Sequence, residues 1–176
     1  MTLSCHMRRQ SNCGRVGAAF AALCIVLSAQ AADHIVGKVV RVPNGDTLVV
    51  ASATGEREVR LADIGAPQGS EYFAPSSTTL LSNLVLNQIV RVTVTGHDGP
   101  ARVFGRVKVG ELDVNLELVQ RGGAWVCLEY AADTNLLPYE NDAIRYRRGL
   151  WGRTTQFDAR VVCRRRPPAE HPVSKP

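Results

Sequence analysis

No stretch of this 176-residue chain is long and apolar enough to cross a membrane as a helix. Its one extended apolar run, Val16 to Leu27, falls short of the roughly 20 residues a bilayer requires. Metal-ligand spacing is also missing. His34, His97 and His171 are scattered, and beyond residue 31 only Cys127 and Cys163 remain, neither with a histidine beside it, which argues against a zinc-type site. The body of the chain lacks net positive charge. The formal +5 comes from the two ends: Arg8, Arg9 and Arg15 at one, and Arg160, Arg164, Arg165, Arg166 and Lys175 against Glu170 at the other. Residues 32–159 carry 13 basic and 15 acidic side chains. Long-range charge therefore gives no general pull on nucleic acid, and any anion site must be a local cluster. There are no internal repeats.

What is present is enough apolar residue, 45%, to build a real core. The first 31 residues read as a targeting segment. Three arginines precede the apolar run, and Ser28-Ala29-Gln30-Ala31 supplies the small residues of a cleavage site. A secretory signal over residues 1–31 is the expectation, with an uncleaved anchor as the alternative. Export implies a periplasmic or secreted protein with no stable membrane anchor once the signal is removed. Cys5, Cys13 and Cys24 would leave with it. Cys127 and Cys163 would then be an even pair in an oxidising compartment, where one disulfide is expected. It would close a loop of about 36 residues, worth roughly 3–4 kcal/mol by chain entropy.

Taken in order, Ile35 to Val42, Thr47 to Ala51 and Glu56 to Leu61 read as three strands joined by turns at Pro43-Asn44-Gly45-Asp46 and Thr54-Gly55. Pro75 to Leu86 changes to helical period, with Leu80, Leu81, Leu84 and Val85 on one face. Ile89 to Thr95 alternates as a fourth strand. Gly96 to Ala101 reads as a loop and Val103 to Val109 as a fifth strand. Asp113 to Arg121 predicts a short helix capped by Asp113 and stopped by Gly122-Gly123. Trp125 to Tyr130 is extended, and Tyr139 to Arg148 predicts a third helix ended by Gly149. Trp125 and Trp151 read as packing residues. The order β-β-β-α-β-β-α-α describes an α+β domain over residues 32–151: a five-stranded Greek-key barrel of OB type with three helices. Residues 152–176 form a basic, proline-rich tail.

Certain words in that order carry a resemblance. They are Asn44-Gly45-Asp46-Thr47, Val59-Arg60-Leu61 running to Ala66-Pro67, Phe104-Gly105-Arg106, Asp113-Val114-Asn115, Val119 to Val126, and Glu140 to Trp151. Together they resemble the staphylococcal nuclease (thermonuclease) family across roughly residues 35–151. The resemblance implies Ca²⁺-dependent cleavage of DNA or RNA. A hard cation bound by carboxylates would polarise the phosphate, a glutamate would act as general base, and two arginines would grip the phosphate oxygens. By position, Asp46 matches the first metal aspartate, and Arg60 and Arg106 match the two phosphate arginines.

The next word departs from the pattern. Where the family usually reads G-I-D-x-P-E, this chain reads Asp63-Ile64-Gly65-Ala66-Pro67-Gln68. Gly65 stands at the second metal aspartate and Gln68 at the general base. An amide can orient a water but cannot take its proton. Arg102 and Phe104 replace the acid and the tyrosine of the usual D-x-Y-G-R. Asp63 as a substitute metal ligand and Glu71 as a substitute base are the two rescues the sequence offers. The expectation is an exported, monomeric protein that engages nucleic-acid phosphodiesters, single-stranded ones above all, through Arg60 and Arg106, with hydrolysis weak or lost. One alternative is an active Ca²⁺-dependent endonuclease. Another is an envelope protein-interaction module.

Overall fold

The structure is a computed structural model that describes residues 33–99, 101–127 and 134–152. The expected leader and all but the first residue of the expected tail lie outside them.

Strands β1 (His34–Asn44), β2 (Thr47–Ser52) and β3 (Gly55–Leu61) form an antiparallel meander. Two-residue turns suffice because Gly45-Asp46 and Ala53-Thr54 sit between runs whose β-branched residues favour a pleated, half-buried surface. Register shifts after Val39 and after Arg41 bend β1, and such bulges sharpen a strand's curvature. A two-residue strand β4 (Ile64–Gly65) follows β3. Helix α1 (Ala74–Val85) then crosses to β5 (Ile89–Asp98), which pairs with β1 and with β6 (Arg102–Val109). Parallel pairing of β3 with β6 closes the barrel, with Arg60 opposite Phe104. The five long strands form the expected closed barrel. One difference is that β5 runs to Asp98, because Gly96, His97 and Asp98 pair with Phe104, Val103 and Arg102 instead of forming a loop.

Alternation decides which face each strand buries. Val39, Leu48, Val50, Val59, Leu61, Val90, Val92, Val103 and Val107 point into the barrel and join one core. Leu81 and Val85 of α1 close one side of it. Val114, Leu118 and Val119 of α2 (Val114–Gln120), which follows the short β7 (Leu112–Asp113), close another. Each such side chain contributes about 1.5–3 kcal/mol by leaving water. Asp113 caps α2 as expected, its carboxylate accepting the Leu116 N–H at 3.1 Å.

Helix α3 spans Leu137–Arg145, starting two residues earlier and ending three earlier than the sequence period predicts. Pro138 suits the first turn, and Arg147 takes a left-handed φ of 51°, which ends the helix. The two expected glycine stops meet each other. Gly122 accepts the Leu150 N–H at 2.9 Å, and a Cβ on Gly122 would lie 2.3 Å from the Arg148 carbonyl oxygen. Strand β8 (Trp125–Val126) pairs with β4, placing Gly65 opposite Trp125. The expected extended run beyond Cys127 lies outside the described residues. Trp125 is fully buried with Cys127 and Leu150, and Phe73 and Trp151 pack against them, as expected for packing residues.

Candidate functional site

Three pieces of backbone converge at the end of the meander: the β1–β2 turn, the β3–β4 strand end and β6. Asp46 occupies the turn. Its own N–H donates to Asn44 Oδ1 at 3.0 Å, and its carbonyl accepts the Leu61 N–H at 2.8 Å. The side chain is completely buried. A buried carboxylate needs donors, and four surround this one. The Thr47 hydroxyl donates to Oδ1 at 2.9 Å. Oδ2 receives an Arg60 guanidinium nitrogen at 3.3 Å, the Ala66 N–H at 3.4 Å and the Gln68 amide nitrogen at 3.5 Å. The last three contacts are long, so each is weak alone. Together they turn Asp46 into the centre of a donor cage.

Arg60 and Arg106 project from the same outward face of neighbouring strands. The β3–β6 register sets Arg60 beside Phe104, and Arg106 lies two residues further along. Arg106 meets Asp63, one of its guanidinium nitrogens 2.8 Å from Oδ2. Asp63 has a left-handed φ of 65° and a buried side chain. Asn115 fixes the backbone on both sides of this pair. Its side chain accepts the N–H of Val107 and donates to the carbonyl of Ala62, at 3.1 and 2.9 Å. A recess of about 400 Å³ opens beside Arg106, lined by Asp113, Leu116, Asn135, Leu136 and Tyr139 among others.

The two residues that the sequence offers as rescues, Asp63 and Glu71, have other partners here. Asp63 faces Arg106, and its left-handed φ breaks the strand alternation that would align it with residue 65. Glu71 accepts the Gln68 N–H at 2.8 Å and returns its own N–H to the Gln68 carbonyl at 3.0 Å, so its carboxylate serves the loop. Arg102 adds no unbalanced positive charge. It pairs with Glu58 at 2.6 Å and Asp98 at 3.2 Å on the barrel exterior.

At Gly65 there is neither a ligand nor room for one. A Cβ there would lie 2.9, 3.0 and 3.1 Å from Nε1, Cε2 and Cζ2 of Trp125. A divalent cation of Ca²⁺ type wants six to eight oxygens, several from carboxylates. Of the two aspartates here, Asp46 already accepts four donors and Asp63 already accepts Arg106. Among the described residues no group of three or more His, Cys, Asp or Glu side chains could hold a metal ion. The donor set does not fit the cation. The two guanidinium groups, the Gln68 amide, the Thr47 hydroxyl and the Ala66 N–H all donate to carboxylates of the protein itself.

Cys127 is disulfide-bonded. Cys163, its expected partner, lies outside the described residues. Glu140 of α3 accepts the Val126 N–H at 2.8 Å and so ties α3 to β8. Burial raises its pKa, and that hydrogen bond partly offsets the rise. The sequence reading singled out Asp46, Arg60, Arg106, Gln68 and Asp63 but missed the Ala66 N–H, the clamp by Asn115 and the recess. A backbone donor leaves no sequence signal, and the recess is assembled from β6, β7, α2, α3 and the turn that precedes α3. Asn115 stood within the Asp113-Val114-Asn115 word, so its position was visible although its role was not.

Comparison with known proteins agrees with the fold. The family model for staphylococcal nuclease homologues matches residues 58–153. An Escherichia coli protein described as an uncharacterized endonuclease is 36% identical over 116 residues, covering 65% of this chain and 76% of that one. A Haemophilus influenzae protein with the same description is 35% identical over 127 residues, covering 72% and 71%. A micrococcal nuclease of Shigella flexneri is 33% identical over 142 residues, covering 74% and 82%.

Proposed function

The chain belongs to the staphylococcal nuclease family, whose members are typically calcium-dependent, and on that premise we propose that it grips nucleic-acid phosphodiesters through Arg60 and Arg106 with hydrolysis weak or lost. A nuclease-like action on nucleic acid is what the relatives support. The loss of turnover rests on the donor set. With Gly65 and Gln68 in place of two carboxylates, and four donors on Asp46, the cation that would polarise a phosphate has no set of ligands to hold it. The base has gone as well. General-base catalysis typically supplies about 10²–10⁴ in rate, and its loss adds to that of the metal.

The arginines keep a use without the metal. Planar guanidinium groups bind phosphate oxygens through paired hydrogen bonds, and both project on the outer face of the barrel. Single strands, whose phosphates are accessible without a duplex to open, are the favoured ligand. Export and action as a monomer in the periplasm or outside the cell complete the proposal. The disulfide-bonded Cys127 supports the oxidising compartment.

The test is hydrolysis and binding of single-stranded DNA and RNA by the purified protein, with Ca²⁺ and with chelator. The expected result is binding that survives chelator, weakens with salt, and is lost in Arg60→Ala and Arg106→Ala, with little or no cleavage. Rapid cleavage that requires Ca²⁺ and disappears in Asp46→Ala would overturn the loss of turnover. It would favour the active endonuclease that the descriptions of the relatives support.

A further inference from the structure

The family word and this chain differ by an exchange. Aspartate stands two residues earlier than usual, at 63, and glycine stands at 65. Position 63 has a φ of 65°, a conformation that favours glycine and that aspartate tolerates better than most residues. The aspartate that occupies it has its side chain 6% exposed, and it holds Arg106 at 2.8 Å. We infer that Asp63 is an internal anion seated on Arg106, which a ligand phosphate must displace, so that this residue sets the anion affinity of the site.

The two arginines are held unequally. Arg60 lies 3.3 Å from Asp46, and when it turns toward a ligand Asp46 keeps the Thr47 hydroxyl, the Ala66 N–H and the Gln68 amide. The Arg106 pair is shorter, and its acid is fixed at the backbone. The Asp63 carbonyl accepts the Cys127 N–H at 2.9 Å, and Asn115 holds the adjacent carbonyl of Ala62. Asp63 therefore cannot follow Arg106 outward. A phosphate taking Arg106 replaces one anion with another and weakens the pairing of a buried carboxylate, an unfavourable exchange. Arg60 is available first, and Arg106 joins only for a ligand that outcompetes Asp63.

This inference rests on the phosphate role proposed above for Arg106, so its test begins with inorganic phosphate and adds a single-stranded oligonucleotide as a second probe. Wild type, Asp63→Asn, Asp63→Gly and Asp63→Asn/Arg106→Ala are titrated in chelator, following the Arg106 Nε–H resonance where that residue is present and a thermal shift in all four. Glycine suits the backbone at 63, so at least one variant keeps the fold. Removing the acid is expected to tighten phosphate binding about tenfold, close to the lower end of measured couplings between close charge pairs. Removing Arg106 as well should abolish that gain. Equal phosphate affinity in wild type and the folded Asp63 variants overturns the inference. It does so whether or not the oligonucleotide binds, and oligonucleotide binding would leave the nucleic-acid reading standing. A gain for phosphate with no oligonucleotide binding by any protein supports the inference and removes the nucleic-acid reading.

Discussion

Replacing Gly65 by alanine tests whether the second carboxylate position is closed by packing as well as by mutation. The perturbation is one methyl group. Its carbon would sit 2.9–3.1 Å from three atoms of the Trp125 indole, where carbon atoms prefer about 3.5–4.0 Å. Neither side yields easily. Gly65 is held opposite Trp125 by the β4–β8 pairing, and Trp125 is fully buried against Cys127 and Leu150. Overpacking of this kind costs about 1–3 kcal/mol. At roughly 3–6 °C per kcal/mol for a domain of this size, Tm should fall by about 3–18 °C. Urea melts should show a lower midpoint with an unchanged slope. Combining Gly65→Ala with Trp125→Phe should cost less than the sum of the two single changes, because the smaller ring relieves the contact. A Gly65→Ala protein that melts with wild type, or strict additivity in the double variant, refutes the packing argument. The outcome also governs any attempt to restore the family word. Gly65→Asp would carry the same Cβ into the indole, so a Gly65→Asp/Gln68→Glu protein should regain cleavage only if Trp125 moves or is made smaller.

Asn115→Ala leaves the Val107 N–H and the Ala62 carbonyl without their side-chain partner, and should cost about 2–4 kcal/mol in a urea melt and weaken oligonucleotide binding as Arg106 loses its fixed strand. Glu140 has a folded pKa raised above its ordinary 4.5, chiefly by burial. The folded state therefore holds the proton more tightly than the unfolded chain. The resulting stabilisation is full below the unfolded pKa and is lost as pH rises through the raised folded value. Melts across mildly acidic pH should show that decline, and Glu140→Gln should flatten it while keeping an acceptor for the Val126 N–H. Reducing the Cys127 disulfide should lower stability by about 2–4 kcal/mol, read as a drop in Tm with reductant that Cys127→Ser abolishes.

The barrel was legible because its signals are periodic and local. Alternation marked the five long strands, Pro75 and the leucine pairs marked α1, and the glycines at 122 and 149 marked helix ends. Errors came where pairing or conformation overrode pattern. Gly96 and Asp98 look like loop residues but are recruited by β6. The run from Arg145 to Arg148 looks helical until Arg147 turns left-handed. In the site, residue identities were readable and their partners were not. Asp46, the expected metal ligand, accepts four donors of the protein. Asp63 was offered to that metal and faces Arg106. The sequence states which charges exist near the turn, but only the direction of a left-handed residue decides which of them meet.

That direction links the exchanged residues to one another. With glycine at 63 and aspartate at 65, the strand end would bend through a residue without a side chain. With the order reversed, the bend itself carries the acid, the acid points to Arg106, and the position beside Asp46 carries no side chain and lies against Trp125. Each arginine then meets a carboxylate: Arg60 meets Asp46 and Arg106 meets Asp63. Each of these two pairs cancels its own charge at long range. Affinity must come from close hydrogen bonding that displaces a carboxylate, and so from the geometry of the ligand's oxygens more than from its total charge. Replacing Asp63 shifts this balance by a full charge beside Arg106. Replacing Gly65 alters the packing against Trp125, and its effect on stability is separable from the effect of Asp63 on binding.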